Sequence, residues 1–150
     1  MFKGHITSIH ITAESGATPQ AVQTVRAIAG QGLEGDRNCQ DHGSTPYEAV
    51  TLIEAEALDA LARDYDVQLG PGESRRNIVT VGVPLNHLVG KEFSVGGVRL
   101  RGGELCEPCK YLASRTHDRV LPGLIHRGGL RAEILSEGEI RVGDAVELIG

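Results

Sequence analysis

The chain has 150 residues, 40% of them apolar, and a formal net charge of −5. That length suits one domain, expected over 1–150, with a buried core; no apolar run nears the roughly 20 residues of a membrane span, and an odd three cysteines make no disulfide framework. Aromatic residues at 3% and the acidic balance argue against nucleic acid, whose single strands need stacking platforms.

Phe2 to Thr12 alternates apolar and polar residues, which predicts a strand, bulged where the phase slips between Ile6 and Ile9. The N-terminus has no signal-peptide core, and the expectation is a soluble, reduced, cytoplasmic protein. Residues 13–20 read as loop and Val22 to Ile28 as a second strand. Gly30 to Asn38 holds three glycines in six residues and then Asp36 and Arg37, a loop suited to close backbone approach. It carries neither a Gly-Lys-Ser/Thr nor a dinucleotide fingerprint. Asp36 and Arg37 could equally pair with each other on the surface.

Glu48 to Ile53 predicts a short strand. Glu54 to Tyr65 predicts a helix with Leu58, Leu61, Ala62 and Tyr65 on one face, and Thr51 with Glu54 suggests a capping box. Its acidic residues read as a solvated face. After Gly70-Pro71-Gly72, the run Ser74-Arg75-Arg76-Asn77 leads into the strand Ile78 to Val81. Two arginines and an asparagine at the mouth of a strand suit an anion, although an ordinary charged turn reads the same way. Phe93 to Leu100 is a hairpin about Gly96-Gly97.

Gly102 to Leu112 is the stretch around which the rest is organised. A Gly-Gly turn precedes Cys106-Glu107-Pro108-Cys109, and Lys110 follows. Glu107 to Arg115 predicts a short helix that sets Cys109 near its N-terminus, where dipole and lysine favour a thiolate. His117 to Pro122 reads as loop. His126-Arg127-Gly128-Gly129 introduces the strand Leu130 to Leu135, and a final strand pair breaks at Gly143-Asp144. At least six strands, few helices and many glycine turns predict a mainly β fold, a strand-rich barrel rather than a βαβ sheet.

Charge is unevenly placed. Residues 1–75 carry five Lys/Arg against eleven Asp/Glu, and residues 76–150 carry ten against nine. An acidic protein with a locally basic site points to a small anionic ligand, which the arginine fork suits. The cysteine pair leaves several readings open. Structural zinc needs two further ligands, from Cys39 or histidines. A thioredoxin-like redox pair would form a reversible Cys106–Cys109 disulfide, but the βαβ setting is missing. A single functional thiolate, Cys109, would bind a soft metal or carry sulfur, with Cys106 as neighbour or resolving partner. Two buried small residues would be the bland case.

The sequence resembles the MOSC domain family, the domain at the C-terminus of molybdenum-cofactor sulfurases, in the form of a small stand-alone member. The resemblance rests on Gly35-Asp36-Arg37, Arg76-Asn77-Ile78, Gly90 with the following hairpin, and Cys106-Glu107-Pro108-Cys109-Lys110-Tyr111-Leu112. It extends to Arg127-Gly128-Gly129-Leu130-Arg131-Ala132, then Gly138, Gly143-Asp144 and Val146. Asn38 stands where many relatives have His. The family implies a β-rich barrel and one functional cysteine, corresponding to Cys109, as molybdenum ligand or sulfur acceptor, with Lys110 beside it. Arg37, Arg75, Arg76 and Arg127, with Asn77, become the candidates to hold the phosphate of molybdopterin. The resemblance implies reduction of N-hydroxylated substrates with electrons from a donor protein. Alternatively, it implies a non-catalytic carrier that docks on a cysteine desulfurase or a molybdoenzyme. In the larger reductases a preceding β-barrel domain adds cofactor contacts. Pyridoxal phosphate belongs to the separate desulfurase domain and is not expected here.

Overall fold

The computed structural model describes residues 1–149. Strand β1, Gly4–Ile11, is the spine of a barrel. On one edge it pairs with β6, Ile78–Val81. On the other it pairs with β11, Ala145–Leu148, at Gly4 and His5, and with β2, Gln20–Val22, at Ile9 to Ile11. The pairing with β6 shifts register between Ile6 and Ser8, the bulge that the sequence pattern predicts. It keeps Ile6 and Ile9 both inside although they are an odd number of residues apart.

Four more strands complete the wall: β5, Val50–Glu54; β7, Glu92–Val95; β8, Val98–Leu105; and β9, Leu130–Ile134. The order β11-β7-β8-β9-β5-β6-β1 closes through the β1–β11 pairing, so seven strands form a ring without open edges. The chain is thus a strand-rich barrel, as expected. β5 and β6 run parallel, which demands a crossover, and helix α1, Ala55–Tyr65, supplies it. A small second sheet contains β3, Thr24–Ile28, β4, Gly32–Leu33, and β10, Gly138–Arg141.

The barrel is filled by Ile6, Ile9, Leu52, Ile78, Phe93, Leu100 and Leu130 among others, all nearly inaccessible. Each such side chain contributes about 1.5–3 kcal/mol by leaving water. A second apolar cluster packs α1 against α2, Lys110–Arg115, and α3, Val120–Gly123, through Leu61, Leu112, Val120 and Leu124. This cluster anchors the segment that follows the cysteines. Among the described residues no helix is long and apolar enough to cross a membrane.

Five local expectations need correction. Gly102 and Gly103 do not turn the chain. They lie inside β8, where the register against β9 shifts between Gly102 and Glu104. Thr51 is no cap: it sits within β5, and α1 begins after Glu54 with no side-chain cap bond. α2 begins after Cys109 rather than at Glu107, and Val120–Gly123 is helical. Finally, β10 and β11 do not pair with each other. β10 joins β3, and β11 joins β7 and β1.

Candidate functional site

Where β1 ends and β5 and β6 begin, three loops meet: the segments around Asp36, Arg76 and Cys106. Asp36 is buried at 7% exposure and does not pair with Arg37. Its Oδ1 accepts from Thr12 N at 2.9 Å and from Asn77 Nδ2 at 3.3 Å, and its Oδ2 accepts from Asn38 N at 3.1 Å. A buried carboxylate is tolerated when its lone pairs meet donors in this way. Asn77 is equally committed. Its Oδ1 accepts from Thr51 N and Oγ1, and its Nδ2 also donates to His10 O. Asn77 is thus a clasp joining β1, β5 and β6 rather than a free ligand donor.

Arg76 is buried as well, at 8% exposure. Nε donates to Gly128 O at 2.8 Å, and Nη1 to Ser74 O at 3.3 Å. Nη2 donates to Cys106 O at 3.2 Å and Glu107 O at 3.4 Å. Four of its five N–H groups are therefore engaged, but by neutral carbonyls, and its charge has no carboxylate against it. Gly128 and Gly129 make this contact possible. A Cβ on Gly128 would lie 2.4 Å from Cys106 O, and one on Gly129 would lie 2.2 Å from Leu52 O.

From this floor rises a cleft of about 180 Å³. Arg37, Arg75, Arg76, Asn77, Cys106 and Cys109 all line it, with Tyr111 and Arg131. Cys109 is exposed and caps α2, its carbonyl accepting from Ala113 N at 3.0 Å. Cys106 is buried at 4% exposure, held by a bond from its N to Gly129 O at 2.7 Å. Both thiols are free. Between them, Glu107 accepts from His126 N at 2.6 Å and faces His126 Nδ1 at 2.7 Å. Burial pushes its carboxyl up, but those two bonds and the imidazole beside it outweigh that, and the net shift is downward.

The arginines sort by position. Arg26, Arg63, Arg99, Arg101, Arg131 and Arg141 each have a carboxylate partner. Among the described residues Arg37, Arg75, Arg76, Arg115, Arg119 and Arg127 have none, and the first three line the cleft. Arg75 also holds a left-handed backbone at φ 60°, a conformation that costs a non-glycine residue about 1 kcal/mol or more. Unpaired cations gathered at one concavity are a standing field for an anion.

Lys110 and Arg127 are not part of this lining. Lys110 is exposed on α2, and Arg127 is half-buried with Nε donating to Gly123 O at 3.2 Å. Asp36, Thr51 and Arg131 belong to the site although composition and spacing did not single them out for it. Cys39 lies outside the lining, and burial first, then the charges of Asp36 and Glu34, push its thiol up. No group of three or more His, Cys, Asp or Glu side chains among the described residues could hold a metal ion without further ligands.

The fold is similar to that of the YuaD protein from Bacillus subtilis, with a TM-score of 0.81 at 16% identity over 99% of this chain and 98% of that one. It is also similar to YiiM from Geobacillus stearothermophilus, at 0.73 and 16% over 98% of this chain and 75% of that one. YiiM from Escherichia coli gives 0.71 and 18% over 100% and 70%. At these identities the likeness is one of fold. No curated protein matches by sequence. The model of the MOSC domain matches residues 39–147, so the chain belongs to the MOSC domain family.

Proposed function

We propose that the cleft binds a molybdenum–pterin cofactor through its metal and phosphate end, with Cys109 as a thiolate ligand of the metal or as acceptor of a sulfur atom destined for it. The observation that carries this reading is an exposed thiol on a cleft where Arg37, Arg75 and Arg76 have no carboxylate partners among the described residues. The donor set fits such a group. A thiolate suits molybdenum, and guanidinium forks suit a phosphate. The volume, about 180 Å³, is below the roughly 300–1,000 Å³ that encloses a whole ligand of that size, so one end is gripped and the other is left near solvent.

When bound, molybdenum would supply the redox chemistry, with electrons from a partner protein and an N-hydroxylated compound as acceptor. The chain's residues do the rest. Arg37 and Arg75 would bind the anionic end. Arg76 adds positive field from beneath and fixes the carbonyls of the cysteine loop. Asp36 and Asn77 hold the three loops in register. As sulfur acceptor, the Cys109 thiolate would attack the outer sulfur of a desulfurase persulfide. The donor's S–S bond breaks, a Cys109 persulfide forms, and the donor cysteine leaves as thiolate.

Protein made in a cofactor-producing host is analysed for molybdenum and pterin, beside Cys109→Ser. Both components in the wild type, and less molybdenum in the variant, are expected. Equal molybdenum in the two proteins would overturn metal ligation. A persulfide on Cys109 after incubation with a cysteine desulfurase and cysteine, without retained metal, would select the carrier role.

A further inference from the structure

Cys106 is a nucleophile that metal ligation by Cys109 leaves unused. It lines the thiol cleft beside Cys109 although only 4% of it is exposed. Its backbone is clamped on both sides: N donates to Gly129 O at 2.7 Å, and O accepts from Arg76 Nη2 at 3.2 Å. The same Nη2 reaches Glu107 O at 3.4 Å. Successive carbonyls of an extended strand point opposite ways, and here two meet one nitrogen, so the chain leaves the extended form between the cysteines. Three residues span at most about 11 Å even when extended, and a disulfide needs Cα atoms within about 7 Å. The exposed Cys109 therefore comes within bonding reach of a fixed Cys106 by a movement of a few Å at most.

The outer sulfur of a persulfide is two electrons more oxidised than the sulfide that binds a metal. A single cysteine can accept that sulfur but cannot supply the two electrons. A second thiol can, by becoming half of a disulfide.

We propose that Cys106 is the resolving thiol that discharges a Cys109 persulfide as hydrosulfide inside the cleft. Cys106 Sγ bonds to Cys109 Sγ, and the bond between Cys109 Sγ and the outer sulfur breaks. The outer sulfur leaves with that electron pair and the Cys106 proton. The chain is left with a Cys106–Cys109 disulfide, which an external dithiol reductant returns to two thiols. Arg37, Arg75 and Arg76, on the same lining and without carboxylate partners among the described residues, favour the anion as it forms. The discharge rests on the sulfur-acceptor reading above; the pairing of the two thiols does not.

Wild type, Cys106→Ser, Cys109→Ser and Cys39→Ser are treated with glutathione persulfide. Released sulfide is trapped with a bimane, and each chain is read by intact mass and peptide mapping. Cys39 lies outside the lining. Wild type and Cys39→Ser should release about one hydrosulfide per chain above the Cys109→Ser background and gain the Cys106–Cys109 disulfide. Cys106→Ser should keep the added sulfur on Cys109 and release sulfide about tenfold more slowly, or slower still. Equal release from wild type and Cys106→Ser, or added sulfur found on Cys106, would overturn the discharge. Diamide on the wild type covers a Cys106→Ser chain that fails to fold. The folded protein should form the Cys106–Cys109 bridge within one chain and leave Cys39 free, and no such bridge would overturn the pairing. A persulfide that stays on wild-type Cys109 sinks the discharge alone. No persulfide on Cys109 in wild type or Cys106→Ser, with no sulfide above background, sinks the sulfur-acceptor reading and the discharge with it.

Discussion

The guanidinium of Arg76 reaches across 30 residues of sequence to donate to Cys106 O at 3.2 Å. The residue one would assign to the ligand is the brace of the loop that carries the thiols. Removing it should leave Gly128 O, Cys106 O and Glu107 O without their donor. Arg76→Ala should therefore destabilise the fold by about 3 kcal/mol or more, and Arg76→Lys, with fewer and shorter reaching donors, by about half of that. Urea unfolding midpoints measure both. A loss below about 1 kcal/mol for the alanine variant would mean that the brace is not structural.

The three thiols should react in a set order. Cys109 is exposed, Cys39 is half-buried and Cys106 is buried. Iodoacetamide labelling followed by mass spectrometry should mark Cys109 first, by about tenfold or more over Cys39, with Cys106 protected until the chain unfolds. The raised Cys39 thiol should label faster as pH increases. Early labelling of Cys106 would show that the cysteine loop opens readily.

Gly129 and Gly143 separate two causes of glycine dependence. Both have positive φ, 122° and 94°, but a Cβ on Gly129 would strike Leu52 O while one on Gly143 meets nothing within 4 Å. Gly143→Ala should cost about 1 kcal/mol from backbone strain alone, and Gly129→Ala well over about 2 kcal/mol. Thermal unfolding of the two variants checks the difference, and equal losses would contradict the packing account.

How much of this was legible follows from the range of each signal. The β1 bulge and the Gly96-Gly97 hairpin are local patterns, and each is present. Helix α1 forms as well, but it buries Ala57 and Ala60 beside Leu61, while Leu58, Ala62 and Tyr65 are only half-buried. The site depends on long-range partners. In sequence a surface pair of Asp36 with Arg37 stays open, because nothing nearby announces that Thr12 and Asn77 wait for the carboxylate. Arg75 and Arg76 are adjacent in sequence yet diverge, one held at φ 60° over Tyr111 and one buried among carbonyls. Arg131 went unnoticed because alternation along β9 gives no sign of which end faces the cleft.

His10 should make stability fall on acidification. Burial lowers its pKa below the ordinary 6.5, with Nε2 against Ser8 Oγ at 3.0 Å. The unfolded chain therefore binds the proton more readily, so stability is full above about 6.5 and declines as pH drops toward the lower folded value. Glu54 works oppositely. Its carboxyl is raised by burial and then by Glu56, so stability improves as pH falls through its raised pKa. Comparing wild type with His10→Gln isolates the histidine: the variant should lose less stability between pH 7 and its acid limb, and parallel curves would contradict a buried neutral imidazole.

The proposed function puts the Cys109 sulfur on molybdenum. X-ray absorption at the molybdenum edge of cofactor-loaded protein counts the sulfur atoms around the metal. One sulfur more is expected around the metal of the wild type than around the molybdenum that Cys109→Ser retains, and identical sulfur counts would rule out metal ligation by Cys109.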